Sequence, residues 1–297
     1  MVIAHVKWFI EETNEVSPFS FYETSVWVWL IIGMSLVLVA GLLDFYMKGP
    51  NEKWINWVKK TKSKWIYFLQ LAIAASLIFA SANQVILVPH YEASSLFLPI
   101  VEVLAAFFLI LNRWVWMGTF LLFFSYLASA ISFGFLEVAD YINVLGMVIF
   151  LYLEKPFNNH WKRWRHRSLD FLRVLTGTAL VILAFTEKLL APEKALSFLA
   201  DYDVNFMRTL GFDYSDRLFV LSAGSMELVF GLIMILGFIP RVNTAALAVF
   251  LISSNIFFFI QGYGTEGVVE IMGHLPIIAS AVLIVLYGKS FKTLKTK

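Results

Sequence analysis

The stretch VVEIMGHLPIIASAVLIVLYG, residues 268–288, has the length and apolar character of a membrane-spanning helix. A hydrocarbon core of about 30 Å requires about 20 apolar residues in a helix. Two polar residues, Glu270 and His274, interrupt its first turns. Residues four apart lie on one face of a helix. The stretch therefore predicts a span that carries an acid and a base on the same stripe.

The composition of the whole chain indicates an integral membrane protein. Hydrophobic residues make up 60% of its 297 residues, charged residues 15%, and the mean hydropathy is +0.76. A water-soluble domain carries about 25% charged residues. The absence of cysteine excludes disulfides, Cys-ligated iron–sulfur clusters and thiol nucleophiles. Only His274 among the five histidines lies clearly inside an apolar run, which argues against a bis-histidine haem in the membrane.

Nine apolar runs predict an all-α polytopic membrane bundle. They cover residues 26–47, 65–88, 96–112, 114–134, 138–153, 169–190, 217–239, 242–262 and 268–288, of which the third and fifth are short. The first residues lack the basic region and short apolar core of a cleavable signal peptide. Val2, Val6, Phe9 and Ile10 share one helical face, which predicts a short interfacial helix.

The charged loops predict the orientation of these spans. Lysine and arginine accumulate in the cytoplasmic loops of membrane proteins. Basic residues fill the loop after the first run, the loop after the fifth and the tail: Lys48, Lys53, Lys59, Lys60, Lys62, Lys64, Lys155, Lys162, Arg163, Arg165, Arg167, Lys289, Lys292, Lys295 and Lys297. Alternate segments are acidic, with Glu11, Glu12, Glu15, Glu23, Asp201, Asp203, Asp213 and Asp216. We therefore expect nine spans in the inner (cytoplasmic) membrane, with the N-terminus outside and the C-terminus in the cytoplasm.

The second to fifth runs resemble the sixth to ninth, which suggests a duplicated four-helix unit. Each set has one glutamate within its second run, Glu102 and Glu227. The last run of each set begins with an acidic residue followed by a second polar one, at Asp140 and Asn143 and again at Glu270 and His274. The N-terminal run would then be an addition to two repeats that share one topology.

The chain accordingly divides into residues 1–64, a first, degenerate four-helix unit at 65–156 and a second unit at 157–297. The second unit has the longer segment between its first two runs. Within that segment Ala195, Leu196, Phe198 and Leu199 predict a short amphipathic helix over the mouth of the bundle. The same unit holds more polar residues within its spans, so we expect function there.

The predicted spans bring polar residues together in the outer half of the second unit. An ionised side chain at mid-membrane costs about 2.5–3.5 kcal/mol on insertion scales, so it usually faces the bundle and has a partner. We interpret Glu227 as a buried acid and His274 as a proton exchanger, which makes them the candidate catalytic residues. Candidate substrate-binding residues are Glu187, Lys188, Glu270 and Asn255. The cluster predicts a polar pocket open to the outside.

Each of these residues also has a purely structural interpretation. Glu227 could be a protonated acid that joins helices through Ser222 or Ser225, and His274 a neutral imidazole with the same role. Lys188 could extend its ammonium group to the membrane interface. Glu270 could only complement the dipole of its helix. A metal site is not expected, since the spacing of these residues matches no recognised signature.

The second unit resembles the DoxX-like membrane family in three segments. These are LRVLTGTALVILAFTEKLLAPEKALSFL at 172–199, AGSMELVFGLIMILGFIPRVNTAALAVFL at 223–251 and GVVEIMGHLPIIASAVLIVLYG at 267–288. The likeness covers about residues 168–289 and, more faintly, 65–154. It implies a four-helix unit, a membrane redox partnership for some members and escort roles for others. By this resemblance Lys188, Glu227, Arg241 and His274 match the polar positions of the family.

Two functional hypotheses follow. The first is an accessory or quinone-interacting subunit of a membrane redox system. Such a subunit would have no intrinsic cofactor but could bind a quinone. It would take electrons from a partner protein, since the chain has no nucleotide-binding glycine fingerprint. The second is a non-enzymatic transporter or a scaffold that binds cargo in the same pocket. Whether the chain is itself an enzyme is left open. The expected partners are proteins of the redox system and the surrounding lipid bilayer. No nucleic acid is expected to bind.

Overall fold

The computed structural model describes residues 6–10, 16–47 and 52–288. Within these residues the fold is all-helical, with an isolated bridge between Val85 and Glu92 and no β-strand. Several residues used above lie outside the described part of the chain: Val2, Glu11, Glu12, Glu15, Lys48 and the basic tail from Lys289 to Lys297.

Twelve α-helices make up most of the described chain. They are α1 Thr24–Tyr46, α2 Glu52–Ala82, α3 Phe97–Leu111, α4 Val115–Phe133, α5 Phe135–Val138, α6 Asn143–Glu154, α7 Ser168–Ala184, α8 Pro192–Tyr202, α9 Phe206–Thr209, α10 Asp216–Leu236, α11 Pro240–Ile260 and α12 Gly264–Tyr287. Three 3₁₀ segments (Val6–Trp8, Ala139–Tyr141 and Asn159–Arg167) and one π-turn (Phe185–Leu189) connect or extend them.

Seven of these helices are long and apolar enough to cross a membrane, which confirms a multi-pass all-α bundle. They are α1, α2, α4, the continuous helix Asn159–Leu189 that contains α7, α10, α11 and α12. An eighth span results if α5 and α6, bent by 57° at Ile142, are taken together. The remaining predicted span, α3, has only 15 residues, about 22 Å at 1.5 Å per residue. Length alone thus supports seven or eight spans rather than nine.

The helices form a closed ring, and the largest apolar cluster joins α2, α3, α4, α6, α7 and α12. α2, α3, α4 and α6 pack on one another in that order, and so do α7, α10, α11 and α12. The ring closes where α6 packs on α7 and where α12 packs on α2. α1 lies outside the ring along α10, and of its residues only Ala40 is buried. The side of α1 that faces away from α10 therefore presents an apolar surface suited to lipid.

We call upper the end of the bundle at which residues 6–10 lie, and lower the opposite end. At the lower end the buried carboxylate of Glu154 joins three segments. It accepts from Lys62 on α2 at 3.0 Å, from Arg165 at 2.8 Å and from the Ser168 hydroxyl at the start of α7 at 2.8 Å. Of the predicted basic loop, Lys53, Lys59, Lys60, Lys62 and Lys64 lie on the first turns of α2.

The upper end differs from the predicted span limits. The second span does not reach residue 88: α2 ends at Ala82, and the chain then turns so that Ile86, Leu87, Val88 and Tyr91 are buried. Gln84 and Leu87 take positive φ values there, and the Leu87 N–H donates to the Glu102 carboxylate at 2.9 Å. This buried backbone bond turns the chain inward, and Tyr91 becomes fully buried behind it.

Candidate functional site

All six predicted site residues are buried in the upper part of the second half, and five of them are at most 2% exposed. Glu227 and Glu270 are 0% exposed, His274 is 1% exposed, and Glu187 and Lys188 are each 2% exposed. α10 supplies Glu227, α12 supplies Glu270 and His274, and the π-turn after α7 supplies the other two.

The π-turn explains how two successive residues both point into the bundle. It is closed by a bond from the Leu190 N–H to the Phe185 carbonyl at 3.0 Å, five residues apart. Such turns widen a helix by one residue and are frequent at functional sites. A Cβ at Gly224 of α10 would lie 2.9 Å from the Lys188 Cβ, so only glycine lets the π-turn come this close. The approach carries the Lys188 ammonium to Glu227.

Lys188 and Glu227 form a buried ion pair, with the ammonium nitrogen 3.0 Å from a carboxylate oxygen. Lys188 therefore does not extend to the membrane interface. Ser222 is not the partner of Glu227 either, because its hydroxyl donates to the Phe219 carbonyl at 2.8 Å. Removing one member of such a pair leaves an uncompensated buried charge, which costs about 3–5 kcal/mol.

Glu270 and His274 face each other, as their spacing on one helix predicts. The His274 Nδ1 lies 3.3 Å from a Glu270 carboxylate oxygen. α12 begins at Gly264 and not near 268, so His274 lies ten residues below its start, about 15 Å down. Both side chains therefore lie below the upper end of α12.

Residues 6–10 complete the site, where the sequence predicted an interfacial helix. The Val6 N–H donates to the Glu187 carboxylate at 3.0 Å. Lys7 is 5% exposed, and its ammonium lies 2.5 Å from an Asp140 carboxylate oxygen. Trp8 donates from its indole to the Tyr141 hydroxyl at 2.7 Å. The segment thus lies inside the bundle and contacts both halves of the ring.

Trp8 also packs on the acid–base pair of α12. Its ring centroid lies 5.3 Å from that of His274. A Cβ at Gly273 would overlap the indole, so glycine at this position is required for the Trp8 ring to lie against α12. The indole consequently covers His274 from above.

A layer of aromatic rings closes the upper end. Phe9 packs against Phe198, Tyr202 and Phe258, with centroid distances of 5.9, 6.1 and 5.4 Å. Phe198 and Tyr202 lie on α8, whose buried face includes Ala195 and Leu199, so the predicted amphipathic helix over the bundle mouth is confirmed. The expected pocket open to the outside is closed by this layer.

Two small cavities adjoin the site. One of about 40 Å³ lies below Trp8 between the halves and is lined by Ser76, Tyr141, Asn143 and Gly273 among others. Another of about 20 Å³ lies beside Lys188 under α8. A water molecule needs about 10–15 Å³ of such volume. Each cavity therefore has room for one to a few waters, and a quinone headgroup would have to displace residues 6–10.

The sixth predicted residue, Asn255, contributes to α11 itself. It is 3% exposed, and its side-chain amide donates to the Leu251 carbonyl of its own helix at 2.5 Å.

Sequence reasoning missed the roles of Lys7, Trp8 and Tyr141. A lysine followed by a tryptophan between the apolar residues Val6 and Phe9 was the available signal, since a cation within an apolar stretch needs a partner.

Within residues 6–10, 16–47 and 52–288, no group of three or more His, Asp or Glu side chains is arranged to hold a metal ion. No family model matches the chain, and no curated protein or solved structure matches it significantly. The site is therefore interpreted from its own chemistry.

Proposed function

We propose that the chain is a DoxX-like protein of the inner membrane, built of two four-helix units and one added helix. In this proposal α3 and the bent α5–α6 pair also cross, which gives nine spans. The upper end faces the outside, and the lower end, with Lys62, Arg165 and their neighbours, faces the cytoplasm. The positive-inside rule and the alternating direction of the helices support this orientation.

The first support for the duplication is the match between α2 and α7. Buried positions recur at a constant separation of 103 residues. They are Ile66, Leu69, Gln70, Ile73, Ala74, Ser76, Leu77 and Ala80 in α2, and Leu169, Leu172, Arg173, Thr176, Gly177, Ala179, Leu180 and Leu183 in α7. Helices that bury the same pattern can occupy the same place in two copies of one bundle.

The next two helices of each unit match without a gap, 125 residues apart. Glu102 corresponds to Glu227. Asn112 corresponds to Gly237, and these two residues are the left-handed C-caps of α3 and α10. Three further buried pairs share this separation: Thr119 and Thr244, Leu122 and Leu247, and Ser129 and Ser254. The separation of 125 residues is the same before and after the turn, which supports the interpretation of the two helical hairpins as copies of one unit.

The last helices, α6 and α12, match at 133 residues. Gly146, Met147, Val148, Phe150, Leu151, Leu153 and Glu154 correspond to Ala279, Ser280, Ala281, Leu283, Ile284, Leu286 and Tyr287, and all are buried. Continued above the bend, this register pairs His274 with Tyr141 rather than with Asn143. Trp8 contacts both. Contact with two equivalent residues supports a pseudo-two-fold axis that passes close to Trp8.

We further propose that the second unit exchanges protons with a small polar ligand as part of a membrane redox system. A quinone headgroup is the first candidate, and it would take the place of residues 6–10. The observation that carries this proposal is the cluster of Glu187, Lys188, Glu227, Glu270 and His274, all at most 2% exposed. Desolvated acids and bases held within reach of one another suit proton transfer. Electrons would come from a partner protein, since the chain has no cysteine.

The test is the identification of small molecules that copurify with the protein in mild detergent, by mass spectrometry. The wild type is compared with Glu227→Gln and His274→Ala, and Glu102→Gln serves as the matched control in the first unit. We expect the wild type and the control to retain a quinone and the two site variants to lose it. A wild type without quinone, or equal retention by all four proteins, would refute the redox role.

A scaffold or cargo-binding role is the second candidate. It is favoured by the small cavities and by the way residues 6–10 fill the upper end. In this case the cluster stabilises the bundle, and Glu227→Gln and His274→Ala change thermal stability without changing the bound small molecules.

A further inference from the structure

Lys7 is a cation enclosed by the first half of the bundle, although its own segment joins the second half through Val6. Its ammonium nitrogen lies 2.5 Å from an Asp140 oxygen and 3.1 Å from the Glu137 carbonyl oxygen. The same nitrogen lies 4.7 Å from the ring centroid of Tyr141 and 6.0 Å from that of Tyr91. One carboxylate, one carbonyl and two aromatic faces therefore surround it.

We propose that this enclosure, the ammonium cage formed by Tyr91, Glu137, Asp140 and Tyr141, is a binding site for a primary alkylammonium ligand that Lys7 occupies as a tethered occupant. A primary ammonium carries three N–H donors. Asp140 and the Glu137 carbonyl take two of them, and the aromatic faces attract the charge. All four residues of the cage belong to the first half, so the cage is distinct from the acid–base cluster of the second unit.

Several contacts of the cage walls do not involve Lys7, although the Tyr141 hydroxyl accepts from Trp8 of the same segment. The Tyr91 hydroxyl donates to the Glu137 carbonyl at 2.7 Å. The Tyr91 ring stacks on Phe133 at a centroid distance of 4.4 Å and meets Tyr141 edge-on at 5.7 Å. The contacts of Tyr91 can remain when Lys7 is replaced, which lowers the cost of binding a ligand in its place.

The charge and the hydrogen-bond acceptors of the cage determine which ligand it can bind. Asp140 is 3% exposed, so substitution of Lys7 removes a cation from a buried carboxylate. The close oxygens, at 2.5 and 3.1 Å, require N–H donors and not charge alone. A quaternary ammonium ion, which has no N–H, should therefore be a poor substitute for a primary one.

The test is chemical rescue of Lys7→Ala in the full-length protein in detergent. This substitution removes three methylene groups and the ammonium, which n-propylammonium can replace. We expect Lys7→Ala to lower the Tm and n-propylammonium chloride to recover at least half of the loss, more at higher concentration. Tetramethylammonium chloride at equal concentration should recover none of it, and the wild type should respond equally to both salts.

Two further variants locate the effect. In Lys7→Met the apolar side chain fills the space of the lysine stem, so n-propylammonium should have little effect. In Lys7→Ala/Asp140→Asn the carboxylate is neutralised, and rescue should be lost. Equal responses of Lys7→Ala to the two salts, or rescue that persists with Asn at position 140, would overturn the proposal. If Lys7→Ala does not remain folded, the protein can be solubilised with one or the other salt present throughout, and the yield of monodisperse protein compared. A higher yield with n-propylammonium supports the proposal, and equal yields overturn it.

Discussion

Each half of the ring buries one glutamate on its second long helix, Glu102 on α3 and Glu227 on α10. The two carboxyl groups have different partners. Glu102 accepts from the Ser125 hydroxyl at 2.6 Å and from the Leu87 N–H at 2.9 Å. Glu227 instead faces the Lys188 ammonium at 3.0 Å. In both cases the segment after the first helix of the half supplies one partner, Leu87 for Glu102 and Lys188 for Glu227. The first half thus uses neutral donors at the position where the second half uses a cation.

This difference separates a structural carboxyl from a candidate functional one. Neutral donors hold an acid in place without fixing its charge, and each such hydrogen bond contributes about 0.5–1.5 kcal/mol. A lysine partner holds the carboxylate ionised and makes each member depend on the other. The second half should therefore be the more sensitive to single substitutions and the more tolerant of paired ones.

The largest effect should follow from Lys188→Met. It leaves Glu227 buried without its cation, so we expect a loss of about 3–5 kcal/mol in unfolding free energy. Adding Glu227→Gln in the same chain should recover most of that loss, because no charge then remains. Thermal unfolding of the two single variants and the double variant in detergent gives the coupling. A double variant less stable than the sum of the single effects would contradict the ion pair.

Next in size should be Gly273→Ala. The added Cβ overlaps the Trp8 indole, so residues 6–10 must shift or leave the bundle. Overpacking of this kind costs about 1–3 kcal/mol. We expect limited proteolysis within the first residues to become faster than in the wild type. Gly211→Ala is the control for a glycine substitution, since a Cβ there meets no atom within 4 Å although its φ of +86° adds local strain. Equal proteolysis rates in Gly273→Ala and the wild type would mean that Trp8 does not depend on this contact.

A smaller effect should follow from Glu102→Gln, which measures the first half against the second. The amide oxygen can still accept from Ser125 or from Leu87, so the loss should be about 1 kcal/mol. Glu227→Gln, which leaves Lys188 without its carboxylate, should cost more. The comparison requires thermal unfolding of both variants under one condition. Equal losses would show that the neutral and ionic arrangements are energetically alike.

Much of the site could be predicted because membrane burial makes polar residues conspicuous. Glu187, Lys188, Glu227, Glu270 and His274 interrupt apolar runs, and a charge in hydrocarbon needs a partner, so their convergence followed from the sequence. The pairing did not follow. A π-turn brings Lys188 inward, and π-turns have no simple sequence signal.

The position of residues 6–10 could not be derived either. Hydropathy treats Val6, Phe9 and Ile10 as a short apolar face, which is equally suited to a lipid interface and to a protein interior. The choice depends on Gly273 and Asp140, which are more than 130 residues away in sequence and adjoin Trp8 and Lys7. The end of α2 was misjudged for a related reason, since the long-range bond from Leu87 to Glu102 is what turns the chain inward.

The smallest effect concerns α1, which packs on α10 of the second half. At the upper end Arg217 of α10 donates to the Glu23 carboxylate at 2.6 Å, with both side chains about one-third exposed. This hydrogen bond, together with one from the Ser20 N–H, lowers the pKa of Glu23 below its ordinary value. A lowered folded-state pKa adds stability above the unfolded pKa of about 4.3, and that stability is lost as the pH falls through the folded value.

Glu23→Gln should therefore cost about 0.5 kcal/mol near neutral pH, the usual scale for an exposed pair. The difference from the wild type should shrink as the pH falls below about 4, where the wild-type carboxylate also becomes neutral. High salt at neutral pH should reduce it as well, because exposed charges are screened. Tm differences at neutral and acidic pH, and at low and high salt, measure both effects. A difference that does not change with pH would assign the anchoring of α1 to its contacts at Gly33 and Asp44 with α10 and the following turn, and not to the ion pair.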